Sequence, residues 1–374
     1  MFAMKRRRFF SMTGGTVLIA AAAYYLQTDK RDFNRDDLKT YSKGTFPFMP
    51  DEEQILSLAS LDPSGHNTQP WSISYLKPYH WIIGSDETRW LPAVDPGQRE
   101  TVLSIGAFVQ NIEFAANHFG YDCQYTSTAK TNQDKNLMTI QLAKSDFVAD
   151  FDIQKIKQRR TIRSNYLNNQ LTTEDCQYLL NGESDFIQYI PNPSPLCTSL
   201  NEQTVSANQT QSYRDPAQKE LADWIRFSNK DAAKYKDGLT IASMEINGVS
   251  AWVLRNFYGK SDVMKKDFRE QNIDNVKKQV SESAGWLLIT SIDDSTDSLL
   301  QTGRRLQRLL LKIRERNIAI HPMTQILEES ATNKSINKTL GIKDSIQFIL
   351  RVGYVKSYPA PVSLRRSVET FVRS

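Results

Sequence analysis

Two hydrophobic rhythms alternate along this chain. Between Asp51 and Ser60, the residues Ile55, Leu58 and Ala59 share one face of a short predicted helix. Trp71 to Tyr75 alternates apolar and polar positions and predicts a strand, with a second short strand at Trp81 to Ile83. From Arg99 to Phe119, apolar residues at Val102, Ile105, Val109, Ile112, Ala116 and Phe119 form one stripe on a long helix. Gly120 stands where a left-handed cap would end that helix. Met138 to Ala143 then alternates as another strand.

The same grammar returns near the carboxyl end. Trp286 to Ile289 predicts a strand, and a helix from Ser298 carries Leu299, Leu306, Leu310 and Ile313 before Asn317. Ile346 to Val352 answers the strand at 138 to 143. Laid without gaps on the first long helix, Gly303 falls on Gly106, Leu306 on Val109, Gln307 on Gln110 and Asn317 on Gly120. Both cap positions therefore hold residues that tolerate positive φ. The reading is a diverged internal duplication; chance similarity of two amphipathic helices is the alternative. Residues 217–280, helical and charged with aromatic punctuation, have no counterpart in the first half: they are a cover over a pocket or a peripheral insertion.

Charge changes the picture only at the amino terminus. Of the formal +5, four charges come from Lys5, Arg6, Arg7 and Arg8, so no basic face remains that would bind nucleic acid. Behind them runs the apolar stretch Thr16 to Leu26, shorter than the roughly 20 residues of an ordinary membrane span. Residues 1–28 thus read as an export signal or an anchor, and 29–50, broken by Gly44, Pro47 and Pro50, as a linker. The Arg-Arg-x-Phe order resembles a twin-arginine signal, which implies recognition by the twin-arginine export machinery and a periplasmic or outer-face location. Three scattered cysteines and four scattered histidines form neither a disulfide framework nor a metal-binding spacing.

Candidate chemistry gathers in Pro63-Ser64-Gly65-His66-Asn67-Thr68-Gln69-Pro70-Trp71, a proline-bracketed run of hydroxyl and amide side chains that favours a turn with exposed N–H groups. Pro-Ser-x-x-Asn-x-Gln-Pro-Trp resembles the flavin-contacting loop of the nitroreductase superfamily, and its Gly-His form resembles the single-chain, Acg-type branch. Arg159, Thr161 and Arg163, with Tyr166 beyond them, are similar to that family's phosphate-contact pattern. Arg365 matches its closing phosphate-contact segment, while the other usual basic position of that segment is Ser363 here. His321-Pro322-Met323-Thr324-Gln325 resembles the segment that passes the flavin's reactive edge.

The resemblance implies an α+β, nitroreductase-like fold: an internally duplicated pseudo-dimer of antiparallel-rich sheets flanked by long helices. Its halves would be 51–150 and 151–374. In ordinary members the flavin lies between two subunits, one giving the arginines and the other the loop. Here each half supplies one of the two, which implies one FMN per chain and a monomer acting as a pseudo-dimer. The expected cofactor contacts are Pro63, Ser64, His66, Asn67 and Gln69 for the ring edge or ribityl chain. Arg159, Thr161, Arg163 and Arg365 are expected on the phosphate, and Pro322 and Met323 at the reactive edge. No protein side chain is expected to carry the redox step, and Ser64 with His66 lacks the carboxylate of a hydrolytic triad. The implied function is FMN-dependent oxidation and reduction between a small-molecule donor and a flat electron-poor acceptor, a quinone or nitroaromatic. The alternatives are a protein that stores or shields FMN, or a diverged loop that binds none.

Overall fold

The computed structural model describes residues 28–35, 48–146 and 151–373. Residues 1–27 of the expected export segment, 1–28, lie outside them. Among the described residues no helix is long and apolar enough to cross a membrane.

Each rhythm becomes the element it specified, with ends shifted by a few residues. Helix α1 is Pro50–Ala59, β1 Trp71–Lys77, β2 His80–Ser85 and α2 Arg99–His118. Strand β3, Tyr121–Ser127, was not marked by the hydrophobic pattern; β4 is Asn136–Lys144. The second half contains β5 Ile187–Pro191, α3 Pro195–Tyr213, β6 Gly285–Ser291, α4 Thr296–Lys312, β7 Ile318–Pro322, α5 Gln325–Glu328 and β8 Ser345–Tyr354. A final strand, β9, is Val372–Arg373. The architecture is α+β.

The two sheets share one strand order. The first runs β9-β1-β2-β4-β3 and the second β5-β6-β8-β7, so β1, β2, β4 and β3 correspond in turn to β5, β6, β8 and β7. Every pairing in these two sheets is antiparallel except that of β9, which lies parallel to β1 with Ile73 opposite Val372. The carboxyl terminus of the second half therefore completes the sheet of the first. Gly120 and Asn317, the two cap positions, both adopt positive φ, 77° and 52°.

Helices α2 and α4 pack against each other as a self-complementary pair. A Cβ on Gly106 would stand 2.2 Å from the Leu300 carbonyl oxygen, and one on Gly303 would stand 1.9 Å from that of Leu103. Deeper along the pair, Arg308 donates to Gln110 Oε1 at 2.9 Å and Gln307 Nε2 donates to Asn111 Oδ1 at 2.8 Å. Each contact has its mirror, the signature of a two-fold interface built within one chain. Around it lies one apolar core in which Trp71 stacks on Phe108, with centroids 4.9 Å apart. A buried carboxylate, Glu52, ties α1 to the first sheet: it accepts from the Tyr79 N–H at 2.6 Å and from Trp81 Nε1 at 3.1 Å.

Two segments lie over this frame. Residues 29–50 were expected to be a linker, but the described part is docked. Asp29 N–H donates to Asn256 at 3.0 Å, Phe33 N–H to Asn229 at 3.1 Å, and Arg255 pairs with Asp32 at 3.1 Å. The helical segment that they grip is the 217–280 region, which has its own small apolar cluster around Ile225, Phe227, Ile241 and Val263.

Candidate functional site

The loop between α1 and β1 is held in an unusual backbone conformation. His66, Asn67 and Gln69 all have positive φ, 48°, 55° and 55°, a left-handed region that costs energy for side chains with a Cβ. The surroundings over-determine that geometry. Asn67 Nδ2 donates to the carbonyls of Gly238 (3.0 Å) and Leu364 (3.2 Å), and its Oδ1 accepts from Arg365 at 2.9 Å. Gln69 Nε2 donates to the Lys236 carbonyl at 3.0 Å, and its Oε1 accepts from the Arg366 N–H at 2.9 Å. Ser64 Oγ accepts from the Gln69 N–H at 2.9 Å. Asn67 and Gln69 are buried, whereas Pro63, Ser64 and His66 remain partly exposed. The two amides thus spend their polar atoms on the fold and leave the outer rim of the loop open.

The four residues expected on the phosphate fall into two groups. Arg159 and Arg365 meet on one carbonyl, that of Leu61, at 3.0 and 3.3 Å, and Arg365 also donates to the Asp62 carbonyl at 2.8 Å. The Asp62 side chain is fully buried, and neither carboxyl oxygen has a hydrogen-bond partner among the described residues. Burial drives its pKa well up, against the pull of Arg365 and Arg159. Burial lowers the pKa of both arginines, and Arg35 adds repulsion to each. Arg159 Nη1 and Arg365 Nε are buried donors with no partner among the described residues. Thr161 lies two residues beyond Arg159 and is partly exposed.

Arg163 faces the other way. Its Nη1 is 2.7 Å from His321 Nε2, its Nε donates to the Ser243 carbonyl at 3.2 Å, and its N–H donates to Glu245 at 3.0 Å. A guanidinium only donates, so His321 Nε2 must accept and the ring proton belongs on Nδ1. That Nδ1 is buried and unpartnered among the described residues. Burial, then the nearby Arg163 charge, pushes the His66 pKa down to about 4. The same causes, with Arg351 added, hold His321 well below the ordinary histidine range. Both histidines are therefore neutral at pH 7. His321 touches Arg163, and loop residue His66, from the other half, feels the same charge.

Pro322 ends β7 and is partly exposed, whereas Met323 is 1% exposed in a second apolar cluster. The Met323 N–H is committed to the Ile349 carbonyl at 2.9 Å. Two cavities flank the 159–165 segment. One, about 250 Å³, has Lys155, Arg159, Arg160 and Arg314 in its wall; the other, about 650 Å³, is lined by Arg160, Ser164, Glu245 and Lys356 among others.

Several participants carried no recognisable sequence signal. Glu245, held at φ 62°, accepts from the Arg163 N–H and from Ser164 Oγ (2.6 Å), and pairs with Arg160 at 3.2 Å. With Gly238 and Lys236, it brings the 217–280 region against both the loop and the arginine segment. Arg366, next to Arg365, donates to the carbonyls of Gln69 (2.6 Å) and Trp71 (3.1 Å). The doubled arginine was visible in the sequence; that both turn to the 61–71 stretch was not.

Residues 156–354 match the nitroreductase family, and the chain belongs to that family. It is an oxidoreductase of nitroreductase type. It is 22% identical over 333 residues to the probable NAD(P)H nitroreductase PigM of Serratia, covering 84% of this chain and 90% of that protein. It is 24% identical over 330 residues to acg of Mycobacterium tuberculosis, which also bears an NAD(P)H nitroreductase name, covering 85% of this chain and 93% of that one. Among solved structures it is similar to the FMN-dependent nitroreductase NfnB of Mycobacterium smegmatis in complex with NADPH. There the identity is 13%, the TM-score 0.38 and the coverage 59% of this chain and 96% of that one.

Proposed function

We propose that this chain binds one FMN between its two halves and uses it to pass electrons from a small-molecule donor such as NAD(P)H to a flat, electron-poor acceptor of the quinone or nitroaromatic class. The observation that carries this reading is the convergence of the 63–69 loop, the 159–163 arginines and Arg365, which come from opposite halves of the duplication.

The donor set fits a flavin mononucleotide. Arg35, Arg159 and Arg365 crowd round the single carboxyl of Asp62, so the cluster carries an excess of positive charge with buried donors unspent. A phosphate monoester, with almost two negative charges and several acceptor oxygens, is the complement of such a cluster. Arg159 and Arg365 would hold the phosphate, with the Thr161 hydroxyl available beside them. Arg163 and the rim of Pro63, Ser64 and His66 would face the ring system, beside His321 and Pro322. Asn67 and Gln69 would act at one remove, by fixing the left-handed backbone of the rim. When bound, the flavin supplies the two-electron chemistry; the chain supplies orientation, charge and exclusion of water.

The segment that carries Gly238, Ser243 and Glu245 also favours a second reading, in which the protein shields FMN with little turnover. One experiment separates them. Purified protein is reconstituted with FMN, its stoichiometry measured, and the flavin absorbance followed anaerobically on mixing with NADH, NADPH or dithionite and then with a quinone. One flavin per chain, bleached by a nicotinamide and recovered by the quinone, supports the enzyme. Bleaching by dithionite alone, with no quinone reoxidation, supports shielding. A colourless protein, or two flavins per chain, defeats the single-site reading. Export through the twin-arginine machinery to the periplasm, or anchoring at the outer face of the inner membrane, belongs to this proposal, and fractionation of cells carrying Arg6→Lys/Arg7→Lys chains tests it.

A further inference from the structure

We infer that the helix Gly248–Phe257 docks its outer face on the surface of a lipid bilayer, seated there by the amino-terminal stretch of the same chain. This rests on the anchored form of the export segment proposed above, and not on the FMN reading.

The helix presents an apolar face to solvent. Nine large hydrophobic side chains among the described residues are exposed, and three of them, Val249 (77%), Phe257 (53%) and Tyr258 (41%), fall within ten consecutive positions. Val249, Val253 and Phe257 recur at four-residue spacing and so share one side of the helix, with Val253 half-buried. The Trp252 ring stands edge-on to Phe257, with centroids 5.2 Å apart. Only one charged residue lies between Gly248 and Phe257, and that is Arg255. It is buried, pairs with Asp32 at 3.1 Å and donates to the Lys30 carbonyl at 2.9 Å. The outer face is therefore uncharged. A clustered apolar and aromatic face of this kind suits the boundary between lipid headgroups and acyl chains.

Where the amino terminus meets the body decides what covers this face. Thr28 Oγ1 accepts from Trp252 Nε1 at 3.0 Å, and the Asp29 carbonyl accepts from Asn256 Nδ2 at 3.1 Å. The start of the described chain is thus fixed along the same helix. The apolar stretch Thr16 to Leu26 ends two residues before Thr28. Two residues reach at most about 7 Å. With that stretch in lipid, the bilayer surface comes close to Trp252, and this side of the body is the one turned to it. So short a tether makes docking intramolecular, so an apolar face too small to hold a free protein on a membrane still stays down. The helix begins three residues after Glu245, so docking also brings one wall of the candidate site towards lipid.

Photolabelling of the full chain tests this. The protein is incorporated into phosphatidylcholine vesicles containing a lipid with a photoactivatable acyl chain, irradiated and digested, and the lipid adducts are mapped. Adducts are expected in 16–26 and again in 249–258. In Val249→Asp/Phe257→Asp, the yield at 249–258 should fall at least about 10-fold while that at 16–26 holds. Both positions are exposed, so the variant should keep the wild-type thermal midpoint. Exchanging phosphatidylcholine for anionic phosphatidylglycerol should change the yield at 249–258 by less than about twofold, because the face has no charge. Adducts at 16–26 alone would show the body held off the bilayer and overturn this inference while leaving the anchor. Crosslinks joining the helix to 16–26 or to a second copy, without lipid adducts on it, would name a different cover and overturn it too. Adducts at neither place would overturn anchoring and docking together.

Discussion

Gly106 and Gly303 lie back to back at the crossing of α2 and α4, so close that a Cβ built on Gly303 would be 3.0 Å from the Gly106 Cα. The atoms each glycine would meet first are backbone carbonyls, which cannot swing aside as a side chain tip can. Gly303→Ala and Gly106→Ala should each destabilise by about 1–3 kcal/mol or more. Since either substitution pushes the same two helices apart, the double variant should cost less than the sum by at least about 0.5 kcal/mol. Chemical denaturation of the four proteins measures this, and strict additivity would contradict the reciprocal packing.

Arg159 and Arg365 should matter to the phosphate and Arg163 to the ring. Arg159→Gln or Arg365→Gln should weaken FMN binding about 10- to 100-fold, the worth of one charge-assisted hydrogen bond, while leaving riboflavin binding unchanged. Arg163→Gln should weaken both ligands alike. Flavin fluorescence quenching reads all six affinities, and equal losses for riboflavin in the Arg159 variant would show that the assignment is wrong.

His66 and His321 should remain neutral in the folded protein far below the ordinary histidine range. Below about pH 6.5 the unfolded chain takes up protons that the folded state refuses, so stability falls as pH drops from about 6.5 towards 4, the His66 value. Nitrogen NMR should show His321 as the Nδ1–H tautomer at pH 7. In Arg163→Gln that tautomer preference should relax and the His321 pKa should rise. A native His321 titrating near 6.5 would rule this out.

Asn67 should behave as a structural keystone. Asn67→Ala leaves the Gly238 carbonyl and one Arg365 N–H without their partner, leaves the Leu364 carbonyl to Arg365 alone and frees a strained left-handed backbone. The expected loss is about 2–4 kcal/mol, with faster proteolysis of the 236–245 segment than in wild type. Unchanged stability would mean that the loop is held by Gln69 and Arg366 alone.

The hydrophobic rhythm alone specified α1, β1, β2, α2, β4, β6, α4 and β8, because burial of one face imposes a period that can be counted along the chain. It also exposed the repeat, since Gly106 with Gly303, and Gly120 with Asn317, preserve backbone requirements that few residues meet. Strands β3, β5 and β7 and helix α3 escaped notice: β3 is polar and largely exposed, and α3 has only a weak apolar stripe. At the site, the loop and the arginines were legible as residue types, but their partners were not. That Asn67 is spent on Gly238 and Leu364, and that Arg163 turns to His321 while Arg159 turns to Leu61, joins residues far apart along the chain. Local sequence fixes which groups are available; only the packing of the two halves, the tail and the 217–280 segment decides which of them are left to face a ligand, because a polar group satisfies whichever partner the fold brings within reach.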